Sequence, residues 1–142
     1  MDQKMNDRSA DDALKGNEQL EEYIGMLQKE PSPEMLSVVL TQVRRRANAG
    51  GQMIVPVDTD ENGGLKIQVM RLEDGETWLP AYTGFEEQLL GKGQVMSTFL
   101  GSIDQLLEMA LQEESVSGLL VNPWGKTLRL DKNLIRIIRG ES

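Results

Sequence analysis

The apolar positions of this chain change their period several times, and each change marks an element. From Asn17 onward, Leu20, Tyr23, Ile24 and Leu27 recur at helical spacing, which predicts a first helix capped by Asn17 and ending near Lys29, ahead of Pro31. Ser32-Pro33 then places a cap before a proline at the first helical position, where the missing N–H would have had no partner anyway. Leu36, Val39, Leu40, Val43 and Ala47 form the stripe of this second helix, and Asn48, Gly50 and Gly51 end it by permitting left-handed backbone.

The period then shortens. Met53 to Val57 reads as a strand and Leu65 to Leu72 as its partner, with the polar stretch Asp58 to Gly64 as the hairpin turn. Glu73-Asp74-Gly75 is a second turn, followed by a strand from Trp78 to Tyr82 that Pro80 assigns to an edge or a strand end. Thr83 and Glu86 have the spacing of a capping box, so a short helix is expected to carry Phe85, Leu89 and Leu90 inward until Gly91-Lys92-Gly93 ends it. Val95 to Leu100 is a further candidate strand. Ser102 and Gln105 repeat the capping-box spacing ahead of Ile103, Leu106, Leu107 and Ala110, the most regular amphipathic stripe in the chain.

Near the C-terminus, Gly118 to Val121 and Thr127 to Leu130 flank Asn122-Pro123-Trp124-Gly125, a turn with proline second and glycine fourth. Asp131 caps a final helix expected to bury Leu134, Ile137 and Ile138. Helices and strands intermingle without a strict strand-helix-strand repeat. The expected fold class is therefore α+β: one domain over residues 17–140, with a mixed or antiparallel sheet packed against several helices. Residues 1–16 are polar, acidic and aperiodic, and read as a flexible leader.

Composition narrows what such a domain can do. A chain of 142 residues buries roughly 70% of the surface its unfolded form exposes, enough for a real core. A net charge of −8 opposes nucleic acid and anionic membrane surfaces as partners. No apolar run reaches the roughly 18 residues of a membrane span, and the first thirty residues lack the basic start and apolar block of a signal peptide, so the expected location is cytoplasmic. The absence of Cys and His removes cysteine nucleophiles, disulfides, thiolate or imidazole zinc sites, and imidazole general-base catalysis.

The sharpest chemical lead is the loop beginning at Asp58. Asp58, Asp60 and Asn62 fall at positions 1, 3 and 5 of a calcium-binding loop, with Gly63 at position 6 and Leu65 at position 8. Position 12, where a bidentate Glu would close the shell, is Val69, and a strand precedes the loop where a helix is required. An acidic hairpin connection is the favoured reading, with no metal and no cofactor. Arg44-Arg45-Arg46 could hold an anion or an acidic partner, but three cations in a helix's last turn also complement its dipole, and that explanation is preferred. Gly84 to Lys92 lacks the spacing and the Ser or Thr of a phosphate loop.

Two tryptophans remain. Trp78 and Trp124 lie beside Pro80 and Pro123, and with Tyr82 and Asn122 they form the candidate surface for a ligand or partner, since aromatic rings on rigid turns are typical interface anchors. For Trp124 the favoured role is nonetheless to fold back and close the core beneath its turn.

These segments carry a resemblance. Trp78 followed by Leu79-Pro80-Ala81-Tyr82-Thr83, and later Gly118-Leu-Leu-Val-Asn-Pro-Trp-Gly125, resemble the SseB-like domain, in which an LPxFT-like strand end and a GxxxNPxG-like turn occur in this order. Tyr82 and Trp124 stand where that pattern more often has Phe. The resemblance implies a bacterial cytoplasmic protein of a family named for a serine-sensitivity phenotype, without an established enzymatic activity, and it carries over no catalytic residues.

The function expected from all this is a non-enzymatic protein-interaction or regulatory module whose partner is another protein. Its principal alternative is a small-molecule-binding protein or carboxylate-dependent enzyme using Asp58, Asp60 or Glu86 with Tyr82 or Lys92, and a calcium-binding structural domain stands behind that. A homodimer is compatible with a chain of this size.

Overall fold

Two small β-sheets are joined at Ile54 and Tyr82, whose backbones exchange hydrogen bonds of 2.8 Å in both directions. The fold is that of a computed structural model, which describes residues 14–59, 61–91 and 97–140. Along the chain, helices α1 (Asn17–Lys29) and α2 (Pro33–Asn48) precede strands β1 (Gln52–Thr59), β2 (Leu65–Ile67), β3 (Met70–Arg71) and β4 (Thr77–Ala81). Helix α3 (Phe85–Leu89), β5 (Ser97–Ser102), α4 (Ile103–Gln112), β6 (Gly118–Val121), β7 (Leu128–Asp131) and α5 (Lys132–Ile138) follow.

One sheet is antiparallel, in the order β2-β1-β5, and the other is mixed, in the order β3-β4-β6-β7, with β4 and β6 parallel. A parallel neighbour requires a long crossover, and here it runs through α3, β5 and α4. The result is the expected α+β domain.

Strand alternation divides the interior. Met53 and Val55, Leu79 and Ala81, and Leu119 and Val121 face Leu20, Ile24, Val39, Val43, Leu107 and Ile135 in one large core beneath the helices. Ile54 and Tyr82 point the other way and close a smaller cluster with Leu14. Leu14 is thus buried, although its polar neighbours had placed it in the leader; an apolar side chain beside an apolar strand face gains more from contact than its local sequence reveals. Residues 1–13 lie outside the described residues.

The helix signals fare unevenly. Ser32, Ser102 and Asp131 accept hydrogen bonds from the backbone N–H groups of Met35, Gln105 and Leu134 at 3.0, 3.1 and 2.8 Å, as their spacing predicts. Asn17 is not a cap. Gly16 holds that position with φ of 96°, and Asn17 is buried one residue inside the helix. Its side-chain amide donates to the carbonyls of Gln52 at 2.8 Å and Thr83 at 3.1 Å, and its oxygen accepts from Arg46 Nε at 2.8 Å, tying α1 to both sheets and to α2.

Three further expectations are corrected. The single strand from Leu65 to Leu72 is two, because the chain leaves β1 at Gln68, whose N–H donates to Pro56 at 3.1 Å, and joins the other sheet at Met70. Pro80 sits in an interior strand, but β3 pairs only with Thr77 and Trp78, so no ladder bond is asked of the proline nitrogen. In α5 the inward residues are Ile135 and Ile138, while Ile137 is 53% exposed.

Candidate functional site

The turn after β6 is placed from three sides. Asn122 adopts a φ of 50°, a left-handed conformation that Asn tolerates better than most residues. Its side chain is buried against Thr83: Asn122 Oδ1 accepts from the Thr83 N–H and Asn122 Nδ2 donates to Thr83 Oγ1, both at 2.9 Å. Glu21 on α1 accepts a very short hydrogen bond from the same Thr83 hydroxyl. From the α1 side Gln28 Nε2 donates to the Gly125 carbonyl at 3.0 Å, and from the α3 side Glu87 Oε1 accepts from the Lys126 N–H at 3.1 Å. Thr83 is therefore committed to the turn instead of capping α3, whose cap position is Gly84 without any side-chain bond.

Glu87 faces inward, 9% exposed, while Phe85, Leu89 and Leu90 are 47%, 79% and 56% exposed, the reverse of their expected orientation. Glu87 turns inward to accept from the Lys126 N–H, and Gly125 permits its close approach with the Leu90 tip: a Cβ on Gly125 would stand 2.5 Å from Glu87 Oε1 and 2.7 Å from Leu90 Cδ1. Burial pushes the Glu87 carboxyl above its usual value; the nearby carboxylates of Glu21 and Glu86 add to this, and Lys126 opposes it through its N–H and its charge.

Trp124 stands next to α3. It is 52% exposed, so it does not close the core in the favoured way. Its indole edge lies against Gly91, where a Cβ would be 2.5 Å from Nε1. Burial raises the Tyr82 phenol above its ordinary value, with the nearby Trp124 side chain partly offsetting the effect. The ring thus has an anchored edge and an open face. Leu90 reaches toward the same turn at Gly125, and with Phe85 and Leu89 on α3 these exposed apolar side chains include two aromatic rings, half of which alone exposes roughly 200 Å².

The remaining members of the expected surface lie inside. Trp78, Pro80, Tyr82 and Asn122 are buried and Pro123 is half-buried, because β4 and β6 are covered on both faces. Trp78 is roofed by Arg129, whose guanidinium carbon lies 5.9 Å from the ring centroid. Sequence reasoning missed Phe85, Leu89 and Leu90, since their spacing fits an outward face as well as an inward one. The local signal was Gly91 and Gly125, which permit close approach of Trp124 and Glu87.

The other candidates do not assemble. Asp58 accepts a hydrogen bond from Gln68 Nε2 at 2.8 Å, Asn62 is exposed, and Asp60 and Lys92 lie outside the described residues. Among the described residues no cluster of three or more acidic side chains could hold a metal ion. Arg44 donates to the carbonyls of Ile137 and Ile138 at 2.6 Å each, so it satisfies the end of α5, while Arg45 and Arg46 stand in the last turn of α2. A cleft of about 720 Å³ opens beside Trp124, lined by Met70, Arg71, Leu72, Asp74 and Arg129 among others. Neither Glu86 nor Tyr82 lines it. Among the described residues no helix is long and apolar enough to cross a membrane. No protein-family model, curated protein or solved structure matches the chain.

Proposed function

We propose that this chain is a non-enzymatic protein-interaction module that works through the patch of Phe85, Leu89, Leu90 and Trp124. The observation that carries the reading is the outward turn of α3 beside a tryptophan set against Gly91: four large apolar side chains, each about half exposed or more, lie on this short helix and the turn packed next to it. Patches of a few hundred Å² on otherwise polar surfaces are where proteins meet partners. The SseB-like resemblance fits, since it implies a bacterial cytoplasmic protein with no established enzymatic activity. The test is affinity capture from native extract with the wild-type chain, Trp124→Ala and Leu89→Ser. Loss of the same proteins from both variants is expected, and equal recovery by all three would remove the patch as the interaction surface.

The small-ligand reading draws on the cleft of about 720 Å³, where Arg71 and Arg129 could bind an anionic group beside the Trp124 ring. Removing both arginines would abolish ligand binding there and leave protein capture intact.

A further inference from the structure

The patch is acidic on the side toward α1, while Arg71 and Arg129 line the cleft beside Trp124, so the α1 side selects the partner. Glu21 stands at the start of α3, where it accepts from the Thr83 hydroxyl and would lie 3.6 Å from a Cβ on Gly84, next to Glu86 on α3; Glu18 sits one turn before Glu21 on the same face of α1. Lys126 is the described cation beside them, and it lies over Gly25, where an added Cβ would be 2.6 Å from its Nζ. The chain as a whole carries −8. From this we infer that the patch docks a cationic amphipathic helix, whose apolar stripe covers Phe85, Leu89, Leu90 and Trp124 and whose Lys and Arg side chains meet Glu18, Glu21 and Glu86. The inference rests on the interaction-surface reading above and adds the chemistry of the partner.

Three observations favour this occupant. A second copy of the chain would set one acidic rim against another, which costs free energy at close range. An anionic lipid surface meets the same repulsion. The patch is also built from side chains of a short helix and a turn, not from a free strand edge, so its partner contributes apolar anchors at helical spacing in place of main-chain ladder bonds.

The test uses a synthetic amphipathic helix made only of Leu and Lys, a scrambled peptide of identical composition, and a counterpart with Glu in place of Lys. Binding to the full chain is followed by Trp124 fluorescence and by calorimetry. The Leu/Lys helix is expected to bind, at least about tenfold more tightly than the scrambled peptide, and the Glu counterpart not to bind. Leu89→Ser should weaken it by about tenfold at constant salt dependence, whereas the double variant Glu18→Lys, Glu86→Lys should weaken it and flatten the salt dependence. Both variants change exposed positions, and unchanged melting temperatures establish that they fold. Equal binding of the scrambled peptide, equal binding of the Glu counterpart, or concentration-dependent dimerisation abolished by Leu89→Ser would each overturn the proposal. If extract capture depends on Trp124 and Leu89 while the Leu/Lys helix fails to bind, the partner chemistry falls and the interaction surface stands. Failure of both removes both.

Discussion

Asn122 and Thr83 interlock across the parallel strands: Asn122 Oδ1 accepts the Thr83 N–H and its amide donates to the Thr83 hydroxyl, each at 2.9 Å and both buried. This pair joins the end of β4 to the turn after β6, and Glu21 ties it to α1. It is the joint on which the exposed face of Trp124 depends, since it sets where the turn leaves the sheet.

Removing the amide should therefore cost more than a loop substitution does. Asn122→Ala leaves the buried Thr83 N–H without an acceptor and adds a residue that tolerates left-handed backbone poorly, an expected loss of about 2–3 kcal/mol, or roughly 10 °C in melting temperature. Asn122→Gly relieves the backbone but not the amide, and should regain only part of that. Thermal melts of the two variants decide it, and a wild-type value for Asn122→Ala would refute the role of the pair.

Two glycines should respond differently to alanine. A Cβ on Gly118 would stand 2.0 Å from the Leu130 carbonyl oxygen and 2.9 Å from Asp131 Cα, both backbone atoms of the paired strand, so β6 and β7 must part. An expected loss of about 3 kcal/mol or more follows. Gly75 has φ of 86° and open space around it, so alanine there costs only the backbone preference, about 1 kcal/mol. Urea titration should rank the two in that order.

Glu87 makes stability depend on pH in an unusual direction. Its folded carboxyl titrates above its unfolded value, so the folded state binds the proton more tightly, and this group's contribution rises as pH falls from neutral through the raised value toward the ordinary one. Glu87→Gln keeps an oxygen to accept from Lys126 and removes the charge. It should melt a few degrees higher than wild type at pH 7, with the advantage shrinking as pH falls toward the unfolded carboxylate value. An advantage independent of pH would show that burial of the charge is not its source.

The tryptophans should separate by spectroscopy and by stability. Trp78 is 3% exposed and Trp124 is 52% exposed. Trp124→Phe should leave emission shifted to the blue and poorly quenched by acrylamide, with stability within about 1 kcal/mol of wild type, whereas Trp78→Ala should cost about 3–5 kcal/mol. Matching quenching in wild type and Trp124→Phe would contradict the open face.

Calcium is expected to change nothing. Asp58 is engaged by Gln68, and position 12 of the loop is Val69. Titration should give no heat, and chelator should leave the melting temperature unchanged. A saturable heat would revive the cation reading.

Caps and stripes were legible along the chain because they are local. Ser32, Ser102 and Asp131 need only residues three positions away, and the stripe Ile103, Leu106, Leu107 and Ala110 is fully buried as its period predicts. The same local logic failed at Thr83. Its spacing to Glu86 is that of a capping box, but Asn122 and Glu21, distant in sequence, bind it first. Asn17 was diverted from capping in the same way, by the carbonyls of Gln52 and Thr83.

By itself, the sequence determined the α+β class, the caps at Ser32, Ser102 and Asp131 and the absence of cysteine and histidine chemistry, since these follow from period, short-range hydrogen bonding and composition. Tertiary structure alone decided that Trp78 and Tyr82 are buried, that Leu14 is held, and that Phe85, Leu89 and Leu90 face outward. A five-residue helix has too little surface to choose its own orientation, so the outcome rests with whichever neighbours, here Gly91, Gly125 and Glu87, leave room on one side.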